Sequence, residues 1–221
     1  MQSTRIFSGG FGSGKSEIAL NFALQKKSEG SGEVILADLD LVNPYFASRE
    51  VKGALNSRGI RVLCPAEELS FGDVPNIPPE IIGILKQDND MIIDLAGDEI
   101  GAIVLGYIHE YLIERQGFEF FLVINPYRPF AGDIESIKEL KKCLERASGL
   151  KFTAIISNPN LVEETTADII KKGHEKVVRY ADKLNLPIRY LTVEERFYPE
   201  LAAFYPDIIK GLNLNLRPQW L

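Results

Sequence analysis

Eight residues near the start of the chain, Gly9-Gly10-Phe11-Gly12-Ser13-Gly14-Lys15-Ser16, have the types and spacing needed to hold an anion. They fit the pattern G-x-x-x-x-G-K-[ST] without a mismatch. The glycines let the backbone turn tightly and bring its N–H groups against a phosphate with no Cβ in between. Lys15 supplies a mobile point charge for the β- and γ-phosphates, and Ser16 a hydroxyl for Mg²⁺. Two carboxylate groups complete the chemistry. Asp38 and Asp40 close the run Ala37-Asp38-Leu39-Asp40 and, two apart on an extended chain, point the same way. One of them can approach Mg²⁺ while the other orients an attacking water. The assignment made here puts Asp40 nearer the metal and Asp38 nearer the water. Asp94 ends the apolar run Met91-Ile92-Ile93, and Gly97 follows three residues later. That arrangement places a carboxylate near the metal and a glycine N–H near the γ-phosphate.

These residues need elements to hold them. Residues 4–8 read as a short strand before the loop, and 16–28 as a helix whose positive dipole end faces the anion. Further apolar runs cover 33–38, 60–65, 90–96, 118–125, 152–158 and 188–193. Most are continuously apolar rather than alternating, as strands covered on both faces require. Helical patterns occupy about 47–58, 78–87, 99–115, 134–148, 164–184 and 195–204, with Asp133 as an N-cap. The alternation predicts an α/β fold: a doubly wound, mostly parallel sheet with right-handed crossovers and helices on both faces. Residues 71–79 read as an irregular connection and 212–221 as a packed extension. Neither resembles a linker, so 1–221 is expected to form a single domain.

The 221 residues are 45% hydrophobic and 25% charged, close to globular averages. A net charge of −6 gives no strong sign of nucleic-acid binding, which needs clustered Lys and Arg. No apolar run approaches the roughly 20 residues that span a bilayer, and the cytoplasm is the expected location. Cys64 and Cys143 stand in separate elements without a C-x-x-C pattern, which argues against an intrachain zinc site. His109 and His174 lie among charged neighbours and read as surface residues.

The loop GGFGSGKS, the DLD ending the second strand and the DLAG ending the fourth together resemble the MinD/ParA-like branch of P-loop NTPases, within the SIMIBI class. That branch also includes the nitrogenase iron protein and the cobyrinate-amidating synthetases. The resemblance implies a three-layer α/β/α P-loop domain that binds ATP or ADP with Mg²⁺. It makes Lys15, Asp38 and Asp40 the catalytic candidates and Ser16, Asp40 and Asp94 the metal-site candidates. Gly10, Phe11, Gly12, Ser13, Gly14, Lys15, Ser16 and Glu17 would surround the phosphates. A strand-ending asparagine would read the base: Asn158 by strand order, with Asn125 the competitor. Backbone around 193–195 would complete that pocket. Neither asparagine is followed by the K-x-D pattern that reads a guanine edge.

The chain departs from the branch at one position. Dimerising members carry a second lysine five residues before the first, where this chain has Gly10. Arg49 and Arg128 are the candidates to replace it, and a weak or partner-dependent dimer is the expectation. Two functions follow: a low-turnover ATPase acting as a switch or maturation factor for an unidentified protein partner, or an ATP-using small-molecule enzyme of the kinase or amidating-synthetase kind.

Overall fold

The computed structural model describes residues 3–30, 32–40, 52–64, 80–115 and 117–216. Its framework is a parallel sheet whose order is β3-β2-β4-β1-β5-β6-β7-β8. The strands are β1 (Thr4–Ser8), β2 (Val34–Leu39), β3 (Ile60–Leu63), β4 (Asp90–Leu95), β5 (Phe118–Ile124), β6 (Ala154–Ser157), β7 (Ile188–Glu194) and β8 (Ile209–Leu212). The helices are α1 (Lys15–Ser28), α2 (Lys52–Ser57), α3 (Ile81–Leu85), α4 (Glu99–Ile113), α5 (Ile134–Ser148), α6 (Ala167–Leu184) and α7 (Tyr198–Leu201).

The continuous apolar runs are explained by burial on both sheet faces. Alternate residues of one strand enter different cores: Ile6, Ile35, Ile93 and Phe120 pack beneath α3, α4, α5 and α6. Their neighbours Phe7, Leu36, Ile92 and Phe121 pack beneath α1 and α2. With period-two side chains and apolar layers on both sides, the middles of the central strands are apolar and polar residues gather toward their ends. The sheet order makes β2, β4 and β1 neighbours, so the ends of all three meet at one place. Asp38 lies directly opposite Asp94 in the β2–β4 register.

Most expected elements form within a residue or two of their predicted bounds, and Asp133 caps α5 by accepting a bond from the Ser136 amide at 2.9 Å. The helix expected over 164–184 starts later, because Thr166 is extended and caps α6 through the Ile169 amide. The helix expected over 195–204 is a 3₁₀ turn followed by the single turn of α7. The strand β8 falls within 205–212, which the sequence reading left without an element. It is an edge strand of four residues containing Lys210 and Gly211, so its apolar signal is weak. The connection over 71–79, the start of the helix expected at 47–58, and Arg49 lie outside the described residues.

His174 departs from expectation. It is buried, not a surface residue. Its Nδ1 lies 3.0 Å from the Ser157 hydroxyl at the end of β6, and its ring meets Tyr205 edge-on at 5.0 Å. His109 is half-buried on α4. Burial holds the His174 imidazole below its ordinary pKa of 6.5, against the smaller upward pull of Glu175. The neutral ring is therefore the folded form. Its stabilisation is fully present above pH 6.5 and is lost as the pH falls through the depressed folded value. Denaturant unfolding between pH 5 and 8 should show stability falling on the acid side, and His174→Gln should flatten that part of the profile.

Candidate functional site

Residues 9–14 leave the C-terminal end of β1 and run into α1 without a side-chain cap, the helix being entered through Gly14 in the left-handed region at φ +90°. Gly12 is also left-handed, at φ +73°. The first-turn amides of α1 are thus left for an anion rather than for a capping side chain. Close packing fixes the loop from three directions. A Cβ on Gly97 would run into the Gly9 carbonyl, one on Gly10 into the Phe130 ring, and one on Gly14 into the Asn158 amide. The Ser13 amide closes a turn onto the Gly10 carbonyl at 3.0 Å.

Lys15, Ser16, Asp38, Asp40 and Asp94, chosen by type and spacing, are brought together. The Lys15 ammonium pairs with the Asp40 carboxylate at 2.8 Å, with both side chains almost wholly buried. Burial pulls the Lys15 pKa down, but Asp94 and Asp40, with a smaller contribution from Asp38, more than offset it, so the net shift is upward. Asp94 is affected in the opposite sense for a carboxylate. Burial, helped by the Asp40 charge, lifts it to about 6, although Lys15 and the hydroxyl hydrogen bond donated by Ser16 pull it down. The Asp40 amide donates to Asp38 Oδ1 at 3.2 Å, which tucks the Asp38–Asp40 turn against the strand end. The Asp40 carboxylate, expected near the metal, is paired in this structure with the Lys15 ammonium.

These residues fit a divalent cation. Three carboxylates face one ammonium, and one carboxylate oxygen, Asp94 Oδ1, is buried without a hydrogen-bond partner. Among the described residues no group of three His, Cys, Asp or Glu side chains is placed to enclose an ion by itself.

The loop opens into a cavity of about 240 Å³. Phe11, Gly12, Gly14, Lys15, Ser16 and Asp40 line it together with Arg128, Asn125, Asn158, Asn160 and Val162. Both candidate base-reading asparagines reach the cavity, with their amides already engaged. Asn158 donates to the Ser13 carbonyl at 2.8 Å and accepts from the Thr192 hydroxyl at 3.0 Å. Asn125 donates to the Asn160 carbonyl at 2.8 Å. Asn158 therefore braces the loop, and Asn125 braces the neighbouring turn. That turn holds Val162 at φ +58°, a strained conformation for a β-branched residue.

The remaining wall was not foreseen. It comes from Leu212, Leu214 and Leu216 at and after β8, rather than from 193–195, which does not line the cavity. The Glu17 carboxylate accepts bonds from the Asn215 amide at 2.8 Å and the Leu216 amide at 3.0 Å. Asn21 exchanges bonds with the Asn213 backbone at 2.8 and 2.9 Å. Glu17 thus acts through the wall that it holds. The available signal was the placement of Glu17 and Asn21 one helical turn apart on α1, facing a tail of spaced leucines.

No family model matches the sequence, and no curated protein matches it. Solved structures share the fold. The cell division protein FtsY of Thermotoga maritima is 16% identical with a TM-score of 0.57, covering 88% of this chain and 63% of that one. The signal recognition particle receptor FtsY of Elizabethkingia anophelis in complex with GDP is 19% identical with a TM-score of 0.55, covering 87% and 58%. A nucleotide-binding protein of Archaeoglobus fulgidus in complex with ADP is 16% identical with a TM-score of 0.50, covering 89% and 84%. The chain spans about three-fifths of the length of the FtsY chains it matches. These likenesses are of fold: an α/β domain with helices on both faces of a parallel sheet. The narrower MinD/ParA-like resemblance rests on the motifs alone.

The contact between Gly97 and Gly9 gives a test of the site's architecture. A methyl group there meets backbone, which cannot rotate away, so Gly97→Ala should cost about 1–3 kcal/mol. Thermal unfolding should record a Tm lower by several degrees, with Gly53→Ala, which meets nothing, as the control.

Proposed function

We propose that this chain binds ATP and ADP with Mg²⁺ and hydrolyses ATP slowly, its output being a change of shape offered to a protein partner. The observation that supports this reading best is the buried pairing of Lys15 with Asp40 at the mouth of an uncapped, glycine-built loop. A buried ion pair is weak evidence for stability alone. Here the ammonium sits where an incoming phosphate can take over from Asp40.

In this reading the loop amides and Lys15 bind the β- and γ-phosphates. Ser16 and Asp94, with Asp40 once it parts from Lys15, would hold Mg²⁺, which supplies charge neutralisation at the phosphate oxygens when bound. Asp38, anchored through the Asp40 amide, orients the attacking water. The segments 40–50 and 97–101 are the ones that would respond to the γ-phosphate; Gly97 lies against the loop, and 41–50 lie outside the described residues. The alternative small-molecule enzyme would need a second substrate pocket continuous with this cavity. Among the described residues no helix is long and apolar enough to cross a membrane. A location in the cytoplasm remains part of the proposal.

Position 10 holds glycine instead of a second loop lysine, and a Cβ there would meet the Phe130 ring, so dimerisation through such a lysine is not part of this proposal. Light scattering on Asp38→Asn protein should show no tight ATP-driven dimer, and a monomer-to-dimer shift with ATP over ADP would refute this.

Calorimetry provides the main test. Lys15→Ala should weaken Mg-ATP and Mg-ADP by at least about tenfold, because a charge-assisted phosphate contact is lost. Asp38→Asn should retain nucleotide yet slow hydrolysis by about a hundredfold, as expected for loss of a group acting on the attacking water. ATP should bind more tightly than GTP. Unchanged affinity in Lys15→Ala would overturn the assignment.

A further inference from the structure

The segment between β5 and α5 is folded over the phosphate loop and is held there firmly. Lys176 donates to the Pro126 carbonyl at 3.2 Å, the Tyr127 hydroxyl to the Ile169 carbonyl at 2.6 Å, and the Tyr180 hydroxyl to the Ala131 carbonyl at 3.3 Å. Pro129 keeps Arg128 extended, at φ −92° and ψ 146°, as a residue before proline prefers. Two side chains of the segment reach the loop. The Phe130 ring covers Gly10, and the Arg128 stem crosses Gly12, with Cδ and Nε each 3.3 Å from where a Gly12 Cβ would stand.

Arg128 also lines the cavity. Its Nε is sealed from solvent and has no hydrogen-bond partner, and no ion pair to it occurs among the described residues. A guanidinium with a sheltered, unsatisfied N–H beside a phosphate loop calls for an anion with several acceptor oxygens, the geometry that arginine matches best. Position 10 is glycine, covered by the Phe130 ring, and the same segment brings a cation, Arg128, over Gly12.

We propose that Arg128 is a second phosphate-contacting cation, acting within its own chain on the phosphate chain of the nucleotide bound beside Lys15. The inference rests on the nucleotide-binding reading above and adds to it a residue outside the loop motif. It assigns the cationic role in cis, from the β5–α5 connection, rather than across a dimer. Gly12, left-handed at φ +73°, lets the Arg128 stem pass close over the loop.

The test uses calorimetry of the full chain with Mg²⁺ and AMP, ADP or a non-hydrolysable ATP analogue, comparing Arg128→Gln and Arg128→Lys with wild type. Thermal unfolding without nucleotide monitors the fold. Arg128→Gln should weaken ADP and the ATP analogue by about tenfold or more while changing AMP less than about twofold, and Arg128→Lys should recover part of the loss. Unchanged ADP and ATP-analogue affinity in Arg128→Gln would overturn the proposal, as would an equal loss for all three nucleotides, which would mark a change of cavity shape. Mixing Arg128→Gln with Lys15→Ala separates cis from trans. Turnover no greater than the sum of the two supports action within one chain, and recovered turnover overturns it. If wild type fails to bind ADP at all, the nucleotide reading falls together with this proposal. If Lys15→Ala loses binding and Arg128→Gln does not, only this proposal falls.

Discussion

Three carboxylates and one ammonium buried at the ends of two neighbouring strands and the adjoining loop are the constraint around which this structure is arranged. Such a cluster is costly to desolvate, and the response of its members shows the cost. Asp94 is lifted to about 6 by burial, while Lys15 is held charged by Asp94 and Asp40. The arrangement persists because the surrounding fold leaves little alternative. Parallel strands buried on both faces gather their polar residues toward their ends, and the order β2-β4-β1 brings three such ends together.

The loop beside this cluster is shaped by close backbone approach as much as by glycine flexibility. Gly97 lies against Gly9, Phe130 against Gly10 and Asn158 against Gly14, so the ends of β4, β5 and β6 each press on the loop following β1. At position 10 the Phe130 ring occupies the space a side chain would take. The cavity wall is a separate construction: Glu17 and Asn21 of α1 hold the chain after β8 and bring Leu214 and Leu216 to the cavity.

Much of the fold was legible because its signals are local. The apolar runs report two-sided burial, and the loop motif, with a strand before it and a helix after it, reports its own geometry. Asp38, Asp40 and Asp94 were legible as strand-end carboxylates. The burial of His174 was also within reach, since Ile170, Val177, Tyr180, Ala181 and Leu184 place it on the buried face of α6; reading its charged neighbours instead led to the wrong face. The four-residue β8 was harder, because an edge strand with Lys210 and Gly211 buries too little to show a pattern.

The sequence by itself determined which residues could bind a phosphate and a metal, because backbone freedom, charge and hydroxyl chemistry belong to residue types and short spacings. Only the tertiary structure decided how those residues are engaged. Asp40 pairs with Lys15, Asn158 and Asn125 spend their amides on backbone carbonyls, and Glu17 holds a distant tail. It also decided that Arg128 and Phe130, more than a hundred residues after the loop, lie upon it. Such contacts depend on the sheet order and on where long crossovers return, and no local pattern in the chain encodes either.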